Sequence, residues 1–115
     1  MFHDNIKELT KENKNYREAL FTGKYSQLVI MSVPVGGEIG GETHETTDQI
    51  FFVVDGDGEA IVGNETFGFY EHDVVFVPAG VTHNIKNVGD EDLKLYTIYS
   101  PPVHAEGTVE KTRRQ

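Results

Sequence analysis

Short runs of β-branched and aromatic residues alternate with turn-forming residues along most of this chain, and this rhythm constrains the fold most. The clearest run is IFFVV at residues 50–54, followed by DGDG at residues 55–58. The run is typical of a strand, and DGDG predicts a hairpin turn. The predicted strands span residues 16–21, 25–33, 50–54, 59–62, 65–70, 74–77, 83–88 and 93–99. Many short strands separated by turns indicate an all-β sandwich or barrel.

Both ends of the chain differ from this strand pattern. Near the start, Asn5 and Glu8 have the spacing of a helix cap. Two predictions remain for this segment, a short helical turn or a solvated arm. The tail is expected to be extended or disordered. His3 and His104 fall in these arms and are predicted to be solvated. The 115 residues suit one domain; its parts are an N-terminal arm 1–15, a barrel of about 16–100 and a C-terminal tail 101–115.

Charge and composition exclude several classes of partner. The net charge is −9, and the basic cluster is confined to the tail residues Lys111, Arg113 and Arg114, which disfavours nucleic acid and anionic membranes. No apolar stretch is long enough to span a membrane, and the first residues lack signal-peptide character, so a soluble cytoplasmic protein is expected. The chain has no cysteine, so a metal must bind through histidine, carboxylate or amide groups.

Two segments carry chemically active side chains at regular spacing. The first reads Gly36, five residues, Glu42-Thr43-His44, four residues, Gln49, six residues, Gly56. The second reads His72, five residues, Pro78-Ala79-Gly80, two residues, His83, three residues, Asn87. Together, in this order, they resemble the paired motifs of the cupin superfamily, whose members are small double-stranded β-helix or jelly-roll barrels. Glu42 stands where that pattern usually has histidine, Gln49 where it has glutamate, and His72 where it has glycine.

The resemblance implies that Glu42, His44, Gln49 and His83 converge inside the barrel. Residues 42 and 44 are two apart, so both face one side of a strand. Gln49 is an odd number of residues beyond His44, so along a straight strand its side chain would point to the opposite face. A bend at residues 46–48 would turn it back toward the face of residues 42 and 44. Beyond the bend, one face carries Gln49, Phe51 and Val53. The inward set of the later strand is His83, Ile85 and Asn87.

Two histidines, one carboxylate and an amide oxygen form a ligand set that suits a divalent Fe, Mn, Ni or Zn ion. Glu42 could serve as a ligand or as a general base, and Phe51, Val53 and Ile85 are predicted to line the pocket. In the metal-free alternative, Glu42 pairs with Lys86 or Lys94, and the two histidines donate to backbone carbonyls. The outlying His72 precedes a strand and is expected to serve a left-handed turn.

Resemblance to cupins leaves two classes of function open, because the fold does not decide the chemistry. The first is a metal-dependent enzyme, dioxygenase-like or isomerase-like, acting on a small oxygen-rich metabolite. The second is a non-catalytic module that binds a sugar or organic acid without metal. The apolar segment at residues 16–33 further predicts a homodimer formed through edge strands.

Overall fold

The computed structural model describes residues 1–113, and within them nine strands form two antiparallel sheets. The strands are β1 (Arg17–Thr22), β2 (Gln27–Val33), β3 (Asp48–Asp55), β4 (Asp57–Val62), β5 (Glu65–Tyr70), β6 (Val74–Val77), β7 (His83–Asn87), β8 (Leu93–Ser100) and β9 (Val109–Glu110). The larger sheet has the order β6-β3-β8-β2-β1-β9 and the smaller β5-β4-β7. The predicted all-β jelly-roll barrel is confirmed.

Strict alternation in the strands builds the core between the two sheets. Along β8, Leu93, Leu95, Thr97 and Tyr99 are buried while the intervening residues are partly exposed. Leu93, Leu95 and Tyr99 pack in one cluster with residues of the smaller sheet, such as Phe69. Burial of a large apolar side chain contributes about 1.5–3 kcal/mol, so this cluster is the main source of stability. It also leaves the inward polar residues in a dry interior.

The N-terminal arm contains a helix, α1 (Ile6–Glu12). The Asn5 side chain accepts a hydrogen bond from the backbone N–H of Glu8 at 3.0 Å, which is the capping geometry that the sequence allowed. The helix packs against β2, β3 and β8. Of the two alternatives for this arm, the helical one is therefore realised. None of the helical structure in residues 1–113 combines the length and apolarity that crossing a membrane requires.

The predicted hairpin at residues 55–58 is wrong, because the chain changes sheets there. Strand β3 ends at Asp55 in the larger sheet, and β4 begins at Asp57 in the smaller one. Gly56 has φ +97°, and a Cβ added to it would lie 2.7 Å from the Asp92 carbonyl oxygen. The glycine therefore permits a sharp corner, which the local sequence does not distinguish from a hairpin.

Of the two alternatives for the tail, extended or disordered, the extended one is realised at strand β9. Strand β9 pairs with the start of β1, with Glu110 opposite Arg17 and Val109 opposite Glu18. The backbone N–H of Ala19 also donates to the Thr108 carbonyl at 2.8 Å. This pairing brings the segment after β8 back across one end of the barrel. Arg114, part of the basic tail, lies outside the described residues.

Candidate metal centre

Backbone pairing joins the two motifs directly. Glu42 and His83 exchange two backbone hydrogen bonds of 2.9 Å each, as an isolated antiparallel bridge. The chain before this bridge is interrupted at Gly40, which has φ +102°. No regular strand therefore carries residues 42 and 44, in contrast to the expectation from their spacing. The bridge itself fixes Glu42 beside the first residue of β7.

The side chains of Glu42, His44 and His83 meet at this point. One ligand atom from each lies within 4.8 Å of the others. Glu42 Oε1 and His44 Nε2 are 3.9 Å apart, and both atoms are buried without a hydrogen-bond partner in the described chain. Unpartnered buried polar atoms are costly, and a cation between them would satisfy both. The donor set thus fits a divalent metal ion.

Hydrogen bonding around His83 also prepares it to coordinate a metal. Its Nδ1 lies 3.1 Å from the Val81 carbonyl oxygen and its Nε2 lies 3.1 Å from the Gln49 amide oxygen; both oxygens can only accept, so the neutral ring donates to one of them at a time. Burial lowers the pKa of His83 and favours that neutral ring. With the proton on Nδ1, the lone pair of Nε2 faces the Gln49 amide oxygen, and a cation there would satisfy both atoms. A backbone carbonyl on the far nitrogen is the usual support for a metal-bound histidine.

Gln49 lies beside these three residues rather than among them. It is 1% exposed, and its Oε1 is 3.1 Å from His83 Nε2. Its amide nitrogen donates to Thr97 Oγ1 at 3.1 Å. The turn that restores its facing falls at residues 45–46 and overlaps the predicted bend of residues 46–48 at residue 46. Gln49 therefore contacts a candidate ligand and can offer the amide oxygen.

The three predicted pocket residues are deeply buried. Phe51, Val53 and Ile85 all belong to the core cluster. The Phe51 ring lies 5.7 Å from the His83 ring, between centroids, so this side chain reaches the donors. That all three line a ligand pocket stays a prediction.

The lysines proposed as partners of Glu42 do not fill that role in the described chain. Lys94 donates to the Asn13 carbonyl oxygen and lies 4.0 Å from Asp92. The basic side chain that comes within 4.0 Å of the Glu42 carboxylate in the described chain is His44, at 3.9 Å and without a hydrogen bond. His72, with φ 74° and an exposed side chain, has the predicted backbone role.

Three residues that the sequence interpretation left out lie near the cluster: Arg17, Tyr99 and Glu110. Arg17 and Glu110 form an ion pair at 2.5 Å, and together with Glu42 they line a cavity of about 300 Å³. The Tyr99 ring lies 5.8 Å from the His44 ring, between centroids. Inward alternation along β1 and β8 was the signal that could have indicated Arg17 and Tyr99.

His104 is partly buried, so the prediction that it is solvated is wrong. Its Nε2 lies 3.2 Å from the Tyr99 hydroxyl. Burial, followed by the nearby Arg17 charge, lowers the pKa of His104 from 6.5 to about 4. Burial raises the pKa of Tyr99, so this phenol stays protonated. At neutral pH both groups are uncharged hydrogen-bonding partners beside Arg17.

Comparison with known proteins gives a consistent family. A cupin domain model matches residues 29–99. The YrkC protein of Bacillus subtilis is 41% identical over 95% of this chain, which spans 62% of that protein's length. An oxalate-binding protein of Thermotoga maritima is 27% identical over 78% of this chain and 69% of its own.

A solved structure agrees closely with the fold. The crystal structure of a Bacillus halodurans protein is 39% identical to this chain and superposes with a TM-score of 0.94, covering 96% of this chain and 88% of the other. The matched residues include the whole candidate donor set. The chain belongs to the cupin domain family and has the double-stranded β-helix of a small cupin.

Proposed function

We propose that this protein binds a divalent transition metal through Glu42, His44 and His83, with Gln49 as a weaker fourth ligand, and acts on a small oxygen-rich metabolite. The observation that carries the proposal is the pair of buried atoms, Glu42 Oε1 and His44 Nε2, which lack a hydrogen-bond partner in the described chain. Both face the third donor within 4.8 Å. Iron, manganese, nickel and zinc all accept such ligands.

A bound ion would supply Lewis-acid chemistry, or redox chemistry for iron or manganese, as isomerase-like or dioxygenase-like reactions require. The chain's own residues set the conditions for it. The Val81 carbonyl holds the His83 tautomer, and Thr97 holds the Gln49 amide. Glu42 is the one carboxylate among the four donors, so it supplies the charge that balances a cation. If its carboxylate does not ligate, it is placed to act as a general base.

The ligand we propose is small and rich in oxygen. Support comes from the cavity of about 300 Å³ that Glu42 lines, a volume at the lower end of the range for ligand pockets. The similarity to the oxalate-binding protein of Thermotoga maritima supports a small organic acid as the ligand.

A second candidate is a metal-free binding protein for a sugar or organic acid. It is favoured by the 3.1 Å contact between His83 Nε2 and Gln49 Oε1, because a polar neighbour already occupies the coordinating side of that histidine. In this case the inward polar residues would bind the ligand through hydrogen bonds.

We propose in addition that the protein is a homodimer. Strand β2 is an interior strand and β9 covers the start of β1, so the predicted edge pairing has little free edge within residues 16–33. The outer face of the larger sheet offers a better contact. There the register places Phe76, Ile50, Ile98 and Leu28 side by side across four strands. Phe76 is 56% exposed.

Metal content of purified variants tests the proposal. His44→Ala and His83→Ala should each lose most of the bound first-row metal that the parent carries. His72→Ala and His3→Ala are matched controls, since each removes a histidine outside the cluster, and both should keep it. Equal metal content in His83→Ala and the parent would contradict metal binding at this site. A parent free of metal that binds a small acid would favour the second candidate.

A further inference from the structure

Arg17 is a buried cation whose bonding in the described chain is incomplete. Its side chain is 10% exposed, and Nη1 bonds a single oxygen of Glu110. Nε is buried and has no hydrogen-bond partner there. A guanidinium normally binds a carboxylate with two parallel N–H groups, and a buried charge is costly when it is only partly paired. This arrangement suits a side chain that has a second carboxylate to bind.

The position of Arg17 connects it to the candidate metal centre. Arg17 and Glu42 line the same cavity, together with Glu110 and Arg113. Gly40 leaves the space that Arg113 occupies, since an added Cβ would collide with the guanidinium. Arg17 stacks over the Tyr16 ring at 5.1 Å, which fixes its direction. Two cations therefore face a cavity that also reaches a candidate metal ligand.

The element that carries Glu110 is a two-residue strand at the edge of the larger sheet. Strand β9 has only two residues, and Val109 is 53% exposed. Its neighbouring backbone bonds are the 2.8 Å contact of Ala19 N–H with the Thr108 carbonyl and a 3.3 Å contact of Tyr16 N–H with the Lys111 carbonyl. Short exposed segments with few bonds open at low free-energy cost. The Glu110 carboxylate is thus held near Arg17 by a weak tether.

The charges change when Glu110 leaves. With Glu110 in place, the cavity carries two arginines and two carboxylates. Without Glu110 it carries one excess positive charge, and a divalent cation at Glu42 would increase it. A small anion would then be attracted to both ends of the cavity. His104, uncharged at neutral pH, does not oppose the exchange.

We propose that Arg17 is a carboxylate-recognition residue of the ligand site, and that Glu110 of the C-terminal strand occupies it as an internal competitor until a small organic acid displaces it. This inference rests on the proposed function, because one end of the ligand would bind Arg17 and the other end would bind the metal held by Glu42, His44 and His83. It narrows the ligand to a small mono- or dicarboxylate. Because the competitor is tethered, its effective concentration is high and the protein's apparent affinity for the acid is reduced.

The test is calorimetric titration of the Mn(II)-loaded full chain with oxalate, with neutral oxamide as the uncharged comparison. Arg17→Gln should weaken oxalate binding at least tenfold, whereas Glu110→Gln should strengthen it at least threefold. Lys7→Gln, which removes an exposed cation on helix α1, is the matched control and should change it less than twofold. Oxamide should bind poorly to every form. Mn(II) affinity should be unchanged in all three variants.

Unchanged oxalate affinity in Arg17→Gln, or equal or weaker affinity in Glu110→Gln, would overturn the inference, as would a parent that does not bind oxalate. If Arg17→Gln does not fold, Glu110→Gln decides alone, because a merely structural ion pair predicts lower stability with no gain in affinity. If the parent does not bind Mn(II), the proposed function fails instead. The same titrations on the metal-free chain then still measure the two opposite shifts.

Discussion

Replacing Gln49 by glutamate should have opposite effects with and without metal. Gln49 is 1% exposed, and its Oε1 lies 3.1 Å from His83 Nε2. If Nε2 is the ligand atom of His83, it lies within 4.8 Å of the ligand atom of Glu42. The new carboxylate would therefore be at most about 8 Å from Glu42. At an effective dielectric constant of about 20, two charges at that distance repel by about 2 kcal/mol.

Two further effects act on this substitution. Loss of the amide donor to Thr97 costs about 1 kcal/mol, so the metal-free variant should be destabilised by about 3 kcal/mol. With metal bound, the same carboxylate faces a cation, and it is a stronger ligand than the amide it replaces. The variant should then bind the ion at least tenfold more tightly than the parent and recover about 1.4 kcal/mol or more relative to it.

The assay is urea unfolding of Gln49→Glu and the parent with saturating Mn(II) and again with chelator. Gln27→Glu is the matched control: Gln27 is equally buried, but its amide binds Thr22 and the backbone of residues 103 and 104. That control should be destabilised to the same extent in both conditions. If Gln49→Glu behaves like the control, the metal centre is wrong.

Two other predictions use the periphery of the site and the outer sheet face. His104 titrates near 6.5 when unfolded and about 4 when folded, so its contribution to stability is complete above pH 6.5 and is lost as the pH falls toward 4. Between pH 6.5 and 4, the free energy of unfolding should therefore fall less for His104→Gln than for the exposed-site control His3→Gln. An equal fall in the two variants would contradict the burial of His104. Light scattering should give a dimer mass for the parent and a monomer mass for Phe76→Glu; a monomeric parent at micromolar concentration would refute the proposed interface.

The strand pattern predicted the barrel because period-two alternation and turn residues are local properties. Gln49, Phe51 and Val53 do share a buried face, and His83, Ile85 and Asn87 do as well. The convergence of Glu42 with His83 depended on the resemblance, since no local rule pairs residues so far apart in the chain. Their antiparallel bridge is a tertiary contact.

The errors arose where tertiary contacts override local preference. The turn-forming pair Asp55-Gly56 favours a hairpin locally, but at Gly56 the chain leaves the larger sheet and enters the smaller one. The tail was expected to be extended or disordered, and the sequence did not show that its Glu110 pairs with the buried Arg17. That ion pair is invisible to a local reading because its partners are 93 residues apart.

Anomalous X-ray diffraction from crystals of the Mn(II)-loaded protein, collected at the manganese edge, tests the central claim most directly. The account predicts one strong peak per chain, within bonding distance of a carboxylate oxygen of Glu42 and of Nε2 of both His44 and His83. In crystals of His83→Ala that peak should disappear. A parent crystal with no peak among these three side chains, or with its peak elsewhere on the chain, would contradict the account.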